Sequence, residues 1–191
     1  MPLKGIRVLD FGRYIAGPYC AALLGDYGAD VIRIEAPGGN EDRYSVPVAD
    51  DRSGAMFMQM NRGKRCLTLK PGSPEGREIV RRLVATADVV VANLPHDALT
   101  KLGLNFDTLS AINPRLVFVR VSGYGQTGPY KDRPGFARVA HAVGGLTYLA
   151  GMPKGTPVTA GSVSYTHLRA HETVLDLVCR LLLEKKNHVV A

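Results

Sequence analysis

The stretch "GIRVLDFGRYIAGPYCAALLGDYGADVIRIEAP", Gly5–Pro37, decides the fold. Its opening, Gly5–Phe11, is an apolar run of strand length. "GPYCAALLGDYGA" then reads as a helix, with Pro18 in its first turn and Gly25 and Gly28 near its end. "DVIRIEAP" is a second strand, closed by Pro37, Gly38 and Gly39. Strands that alternate with helices in this way predict a mainly parallel sheet.

The rest of the chain continues the alternation. Gly38 to Arg65 carries mixed charges and reads as a loop or excursion, and "CLTLK" is a short strand. "GSPEGREIVRRLVATA" is a helix with its own start signals: Ser73 as N-cap, Pro74 in the first position and Glu75 beside the positive helix end. Ile79, Val80, Leu83, Val84 and Ala87 form its apolar stripe. "DVVVANL" and "RLVFVRVSGYG" are nearly continuous apolar strands, as expected where both sheet faces are covered. Short helices are predicted over Asp97–Leu102 and Phe106–Ile112. "FARVAHAVGGLTYLAG" is a helix weakened by Gly144 and Gly145. The fold class is α/β: a Rossmann-like, mainly parallel sheet with helices on both faces. Ligands of such sheets bind at the carboxyl ends of the strands.

A chain of 191 residues with 46% hydrophobic content suits one domain with a full core. No apolar run reaches the roughly 18 residues a membrane helix needs, and no secretion signal is read at the N-terminus. Cys20, Cys66 and Cys179 are far apart and form no C-x-x-C pair. They read as small hydrophobes or thiols of a reducing compartment, and the expected location is the cytoplasm. The net charge of +7 favours an anionic partner. Nucleic acid is not the expected one, because the basic residues are scattered and no helix-in-groove motif is present.

The common phosphate motifs are missing or misplaced. After the first strand, Gly12 and Gly17 have the wrong spacing for a dinucleotide fingerprint, and there is no Walker loop. Gly123, Gly125 and Gly128 do fit G-x-G-x-x-G, but "PYKDRPG" follows them instead of a helix. A flexible turn explains those glycines equally well.

Four strand-end segments are more specific when taken together: "LDFGRYIAGPYCAALLGDYGADVIRIEAPGG", "NRGKRCLTLK", "DVVVANLPHDALTKLGL" and "NPRLVFVRVSGYGQTGPYKDRPGF". In this order and spacing the chain resembles the class III CoA-transferase (CaiB/BaiF) family, across about residues 3 to 162. That family includes formyl-CoA transferases and alpha-methylacyl-CoA racemases. The resemblance implies coenzyme A or an acyl-CoA as substrate, a carboxylic acid as partner substrate, and no permanently bound cofactor. It also implies an interlocked homodimer for the parent enzyme.

Site residues follow from the same resemblance. The implied CoA contacts are Ile15 and Ala16 in the first turn, Leu69 and Lys70 after the third strand, and Asn93 and Leu94 after the fourth. Lys101 takes the place of a family arginine, which exchanges a forked donor for a point charge. The fifth strand end contributes Ser122, Gly123, Tyr124 and Gly125. Arg33, Lys64, Arg65 and Lys101 are the strand-end charges available to phosphates. Asn93 also fits a turn cap before Pro95, and Lys101 a solvated helix position. Family racemases carry Gly-His-Asp where this chain has Gly135, Phe136 and Ala137, and a benzyl ring moves no proton. His141, one turn later, reads as an ordinary helix residue. CoA transfer is therefore favoured over racemisation.

In family transferases an aspartate attacks the acyl-CoA thioester and forms a mixed anhydride. The released CoA thiolate returns to give an enzyme–CoA thioester, which the acceptor acid resolves. Its expected place, near Thr166 or His167, holds no carboxylate, and Glu172 and Asp176 lie too far along. No catalytic residue is therefore assigned, and the chain is expected to be an inactive N-terminal fragment. Residues 163–191 read as an unrelated helical tail. His167 and His171 are one turn apart, but their order with Glu172 is not that of a zinc helix, so no metal site is expected. The rival readings are a racemase-like enzyme, a non-catalytic CoA-binding module, a nucleotide-dependent oxidoreductase and a small nucleic-acid binder.

Overall fold

The first strand, β1 (Arg7–Asp10), pairs in parallel with β2 (Asp30–Glu35), from Arg7 against Asp30 to Asp10 against Arg33. The computed structural model describes residues 1–45, 47, 49–151 and 155–158. Three further strands, β3 (Arg65–Thr68), β4 (Val89–Ala92) and β5 (Val117–Arg120), complete one sheet of order β3-β2-β1-β4-β5. All its pairings are parallel.

Alternation along each strand sorts the side chains onto two faces. Leu9, Ile32, Ile34, Val90, Ala92 and Phe118 fall on one face and form a single core. That core also contains Val80 and Val84 of α3 (Pro74–Ala85), Leu99 of α4 (His96–Leu102) and Leu109 of α5 (Phe106–Ile112). The opposite face, with Val8, Val31 and Val91, is covered by α1 (Ala16–Asp26), which packs on β1, β2 and β4. The α/β sheet with helices on both faces is thus formed as the alternation predicts.

Local signals place most boundaries. Ser73 Oγ accepts from the Gly76 amide at 3.0 Å, and Pro74 opens α3. Gly103, in the left-handed region at φ 69°, ends α4. Two expectations need correction. Ile79 is 41% exposed, so the buried stripe of α3 is Val80 and Val84, with Leu83 half-buried and Ala87 buried just beyond the helix end. The excursion after β2 is not all loop: it holds a helical turn at Glu41–Tyr44 and the short helix α2 (Ala55–Met60).

The chain divides into two units, Met1–Val121 and Ser122–Ala191. The first contains the whole sheet. Within the described part of the second, α6 (Ala137–Val143) and α7 (Leu146–Leu149) replace the single predicted helix. Gly145 separates them at φ 77°, where a β-carbon would be strained. The expected boundary at residue 162 and the tail beyond it lie outside the described residues.

Candidate functional site at the strand ends

Strand order reverses between β1 and β4, the place where open parallel sheets bind their ligands. The turn from Phe11 to Ile15 lies there, and three successive backbone amides in it are already occupied. The Gly12 amide donates to Asp10 Oδ1 at 2.8 Å, the Arg13 amide to Asn93 Oδ1 at 2.7 Å, and the Tyr14 amide to Asp42 Oδ2 at 3.0 Å. Asn93 Nδ2 returns a hydrogen bond to the Arg13 carbonyl at 2.9 Å, so both ends of one carboxamide grip one residue's backbone. Tyr14 is held in the left-handed region at φ 58°, a conformation that a tyrosine keeps only when its surroundings impose it. Packing is equally tight. A β-carbon on Gly12 would lie 2.6 Å from Pro18 Cδ, and one on Gly17 would lie 3.2 Å from Asn93 Oδ1.

Beneath the turn lies a buried ion cluster. Period-two alternation puts Asp10, Arg33 and Glu35 on the same sheet face, and strand register sets Asp10 beside Arg33. The fully buried Arg33 guanidinium meets Asp42 at 2.7 Å, Glu35 at 3.0 Å and Asp10 at 3.7 Å. Burial alone would lower its proton affinity, but Asp42, Asp10 and Glu35 more than reverse this and the net direction is up. Lys64 Nζ donates to Asp10 Oδ2 at 2.7 Å, to the Pro18 carbonyl at 2.7 Å and to Asn61 Oδ1 at 2.8 Å. Burial still leaves the Lys64 ammonium below the ordinary lysine range, with Asp10 acting against it. Arg43 pairs with Glu35, and its guanidinium lies 4.1 Å over the Phe57 ring. Arg33 and Lys64 are therefore internal ties, which corrects their expected role as phosphate-facing charges. Sequence spacing could not show that three carboxylates converge on Arg33.

The other expected site residues fall in distinct settings. Ile15 is the half-buried N-cap residue of α1, and Ala16 is buried at its start. Leu69 is buried in the core, with its amide on the Glu35 carbonyl at 2.7 Å. Lys70 and Lys101 are exposed, on neighbouring segments: the Lys101 carbonyl accepts from Arg77 of α3 at 2.9 Å. Arg65 is exposed and pairs with Asp30. Asn93 contacts the turn, as described, and Leu94 is half-buried against the core. Ser122, Gly123, Tyr124 and Gly125 belong to the second unit. There Ser122 Oγ donates to the Gly125 carbonyl at 3.0 Å, and a β-carbon on Gly123 would lie 2.5 Å from Gly135 Cα. Gly125 and Gly128 have φ of 79° and 91°, so the glycines build a turn. His141 is buried on α6, and its Nε2 has no hydrogen-bond partner among the described residues.

Among the described residues no group of three or more His, Cys, Asp or Glu could hold a metal ion. His167, His171, Glu172 and the expected aspartate position lie outside them. Among the described residues no helix is long and apolar enough to cross a membrane. Cys20 is half-buried and Cys66 exposed, and neither forms a disulfide.

The model of the family described as CoA-transferase family III matches residues 3–187. The chain belongs to that family. The beta subunit of succinyl-CoA–L-malate CoA-transferase of Chloroflexus aurantiacus is 52% identical over 166 residues, covering 86% of this chain and 41% of that protein. The succinate–glutarate CoA-transferase of Agrobacterium fabrum is 41% identical, covering 84% of this chain and 42% of that protein. A solved CAIB/BAIF family protein from Brucella suis superposes with a TM-score of 0.82 at 38% identity, covering 98% of this chain and 51% of that one. This family III chain thus spans about two-fifths of the length of the curated relatives it matches.

Proposed function

We propose that this chain forms the coenzyme A-binding part of a family III transferase that moves CoA between an acyl-CoA and a carboxylic acid. The relatives' named substrates, succinyl-CoA, malate and glutarate, make short dicarboxylic acids the favoured class. The observation that carries the reading is the occupied turn after β1. A dinucleotide pyrophosphate needs free backbone amides at that turn. Here three successive amides already serve Asp10, Asn93 and Asp42, two of them carboxylates. This argues against the oxidoreductase reading, and the exposure of Lys70 and Lys101 supports them as the phosphate contacts.

The chain's part in the exchange is to bind and orient CoA. Transfer itself requires a nucleophilic carboxylate, which Thr166 and His167 do not supply. The interlocked homodimer and the cytoplasmic setting implied by the resemblance belong to the same proposal. Calorimetric titration of the purified chain tests it. CoA and acetyl-CoA are expected to saturate one site while NADH gives no heat. Saturation by NADH with none by CoA would overturn the reading.

A further inference from the structure

Four cations gather at this end of the sheet, and one is treated differently from the rest. Arg33, Lys64 and Arg43 each form an ion pair with a buried carboxylate. Arg13 has no carboxylate within ion-pair distance among the described residues. Among the described residues its guanidinium donates only through Nη1, to the carbonyls of Phe11 at 3.2 Å and Gly12 at 3.0 Å. Burial and then the Arg33 charge lower its proton affinity, and Asp42, Glu41 and Asp10 offset this from further away. The residue's main chain is meanwhile gripped at both its amide and its carbonyl by Asn93. A half-buried cation with no ion-pair contact among the described residues is thus mounted on this turn, at the point where the strand order reverses.

We propose that Arg13 is a specificity residue that receives the distal carboxylate of a dicarboxylic acyl group through its Nε and Nη2 hydrogens. The inference rests on the CoA-transferase reading and adds the residue that would choose the acyl chain. A carboxylate suits the site better than a phosphate does. Two parallel donors of one guanidinium match two carboxylate oxygens. A phosphate would want backbone amides as well, and those of Gly12, Arg13 and Tyr14 are occupied.

The test compares three stable probes by calorimetry on the whole chain: CoA, S-propyl-CoA and S-(2-carboxyethyl)-CoA. The unaltered chain should bind the carboxylated thioether at least about tenfold more tightly than the propyl one. Arg13→Gln should erase that preference and leave the CoA and S-propyl-CoA affinities unchanged. Arg13→Lys, which keeps the charge without the fork, should retain only part of it. Equal binding of the two thioethers, or a preference that survives Arg13→Gln, would overturn the proposal and leave the CoA reading intact. Equal weakening of all three probes would place Arg13 on the CoA phosphates and also overturn it. Failure of the unaltered chain to bind CoA removes the broader reading and this one with it. If Arg13→Gln does not fold, Arg13→Lys decides: an undiminished preference for the carboxylated probe overturns the proposal.

Discussion

At the scale of single residues, Asn93 and Arg33 hold the site together. Asn93 makes both of its carboxamide hydrogen bonds to one residue that is 80 positions away in sequence. Asn93→Ala would leave the Arg13 amide and carbonyl without these partners, at a cost of about 1–3 kcal/mol. A lower urea midpoint with an unchanged slope is the expected result. Arg33 meets three buried carboxylates and shares two of them with Lys64 and Arg43. Arg33→Met should cost about 3–5 kcal/mol, because Asp42 and Glu35 lose a buried counter-charge. A denaturant titration beside the parent chain measures this, and an unchanged midpoint would contradict the buried cluster. Arg33 was visible in the sequence as a strand-end charge, but its direction was not. Four apolar or charged residues in a row give no sign of which neighbours the sheet will bring alongside.

At the scale of elements, α3 shows how a local rule and a tertiary contact can conflict. Helix propensity favours Ala over Gly by about 1 kcal/mol in a helix interior. A β-carbon on Gly76, however, would lie 1.9 Å from the Lys70 carbonyl oxygen. Gly76→Ala is therefore expected to destabilise by about 1–3 kcal/mol, with the clash overriding propensity; a stabilised variant would refute the packing described here. The same helix carries the clearest titration. Hydrogen bonds from Arg81, and then Arg82, hold the Glu78 carboxyl down to about 2 from an ordinary 4.5. A depressed acid adds stability above its ordinary value and loses it as pH falls toward its folded value. Glu78→Gln should thus be less stable than the parent above pH 4.5, and the gap should close toward pH 2. Denaturant titrations across that range measure it. The helix itself was legible because Ser73, Pro74 and the Val80–Val84 spacing are short-range signals. Ile79 was misread because an apolar residue at the edge of a stripe is placed by what packs against it.

At the scale of the whole molecule, charge is the available lever. The chain carries +7, and CoA is multiply anionic, so binding should weaken steadily as salt is added. Lys70→Ala with Lys101→Ala should lower CoA affinity about tenfold and flatten that salt dependence. An unchanged slope would move the phosphate contacts elsewhere. Both lysines are exposed, so the double variant should melt with the parent chain, which separates lost binding from lost fold.

The sequence by itself determined the succession of strands and helices and the α/β class, and its four ordered strand-end segments pointed to the family. These signals are carried by residues a few positions apart, through alternation, helical spacing and caps. Only the tertiary structure decided which polar groups face inward. Parallel register set Asp10 beside Arg33, and the reversal of strand order brought Asn93 to the turn that carries Arg13. The partners of a buried charge or a strained turn come from distant parts of the chain. They become neighbours only when the sheet forms.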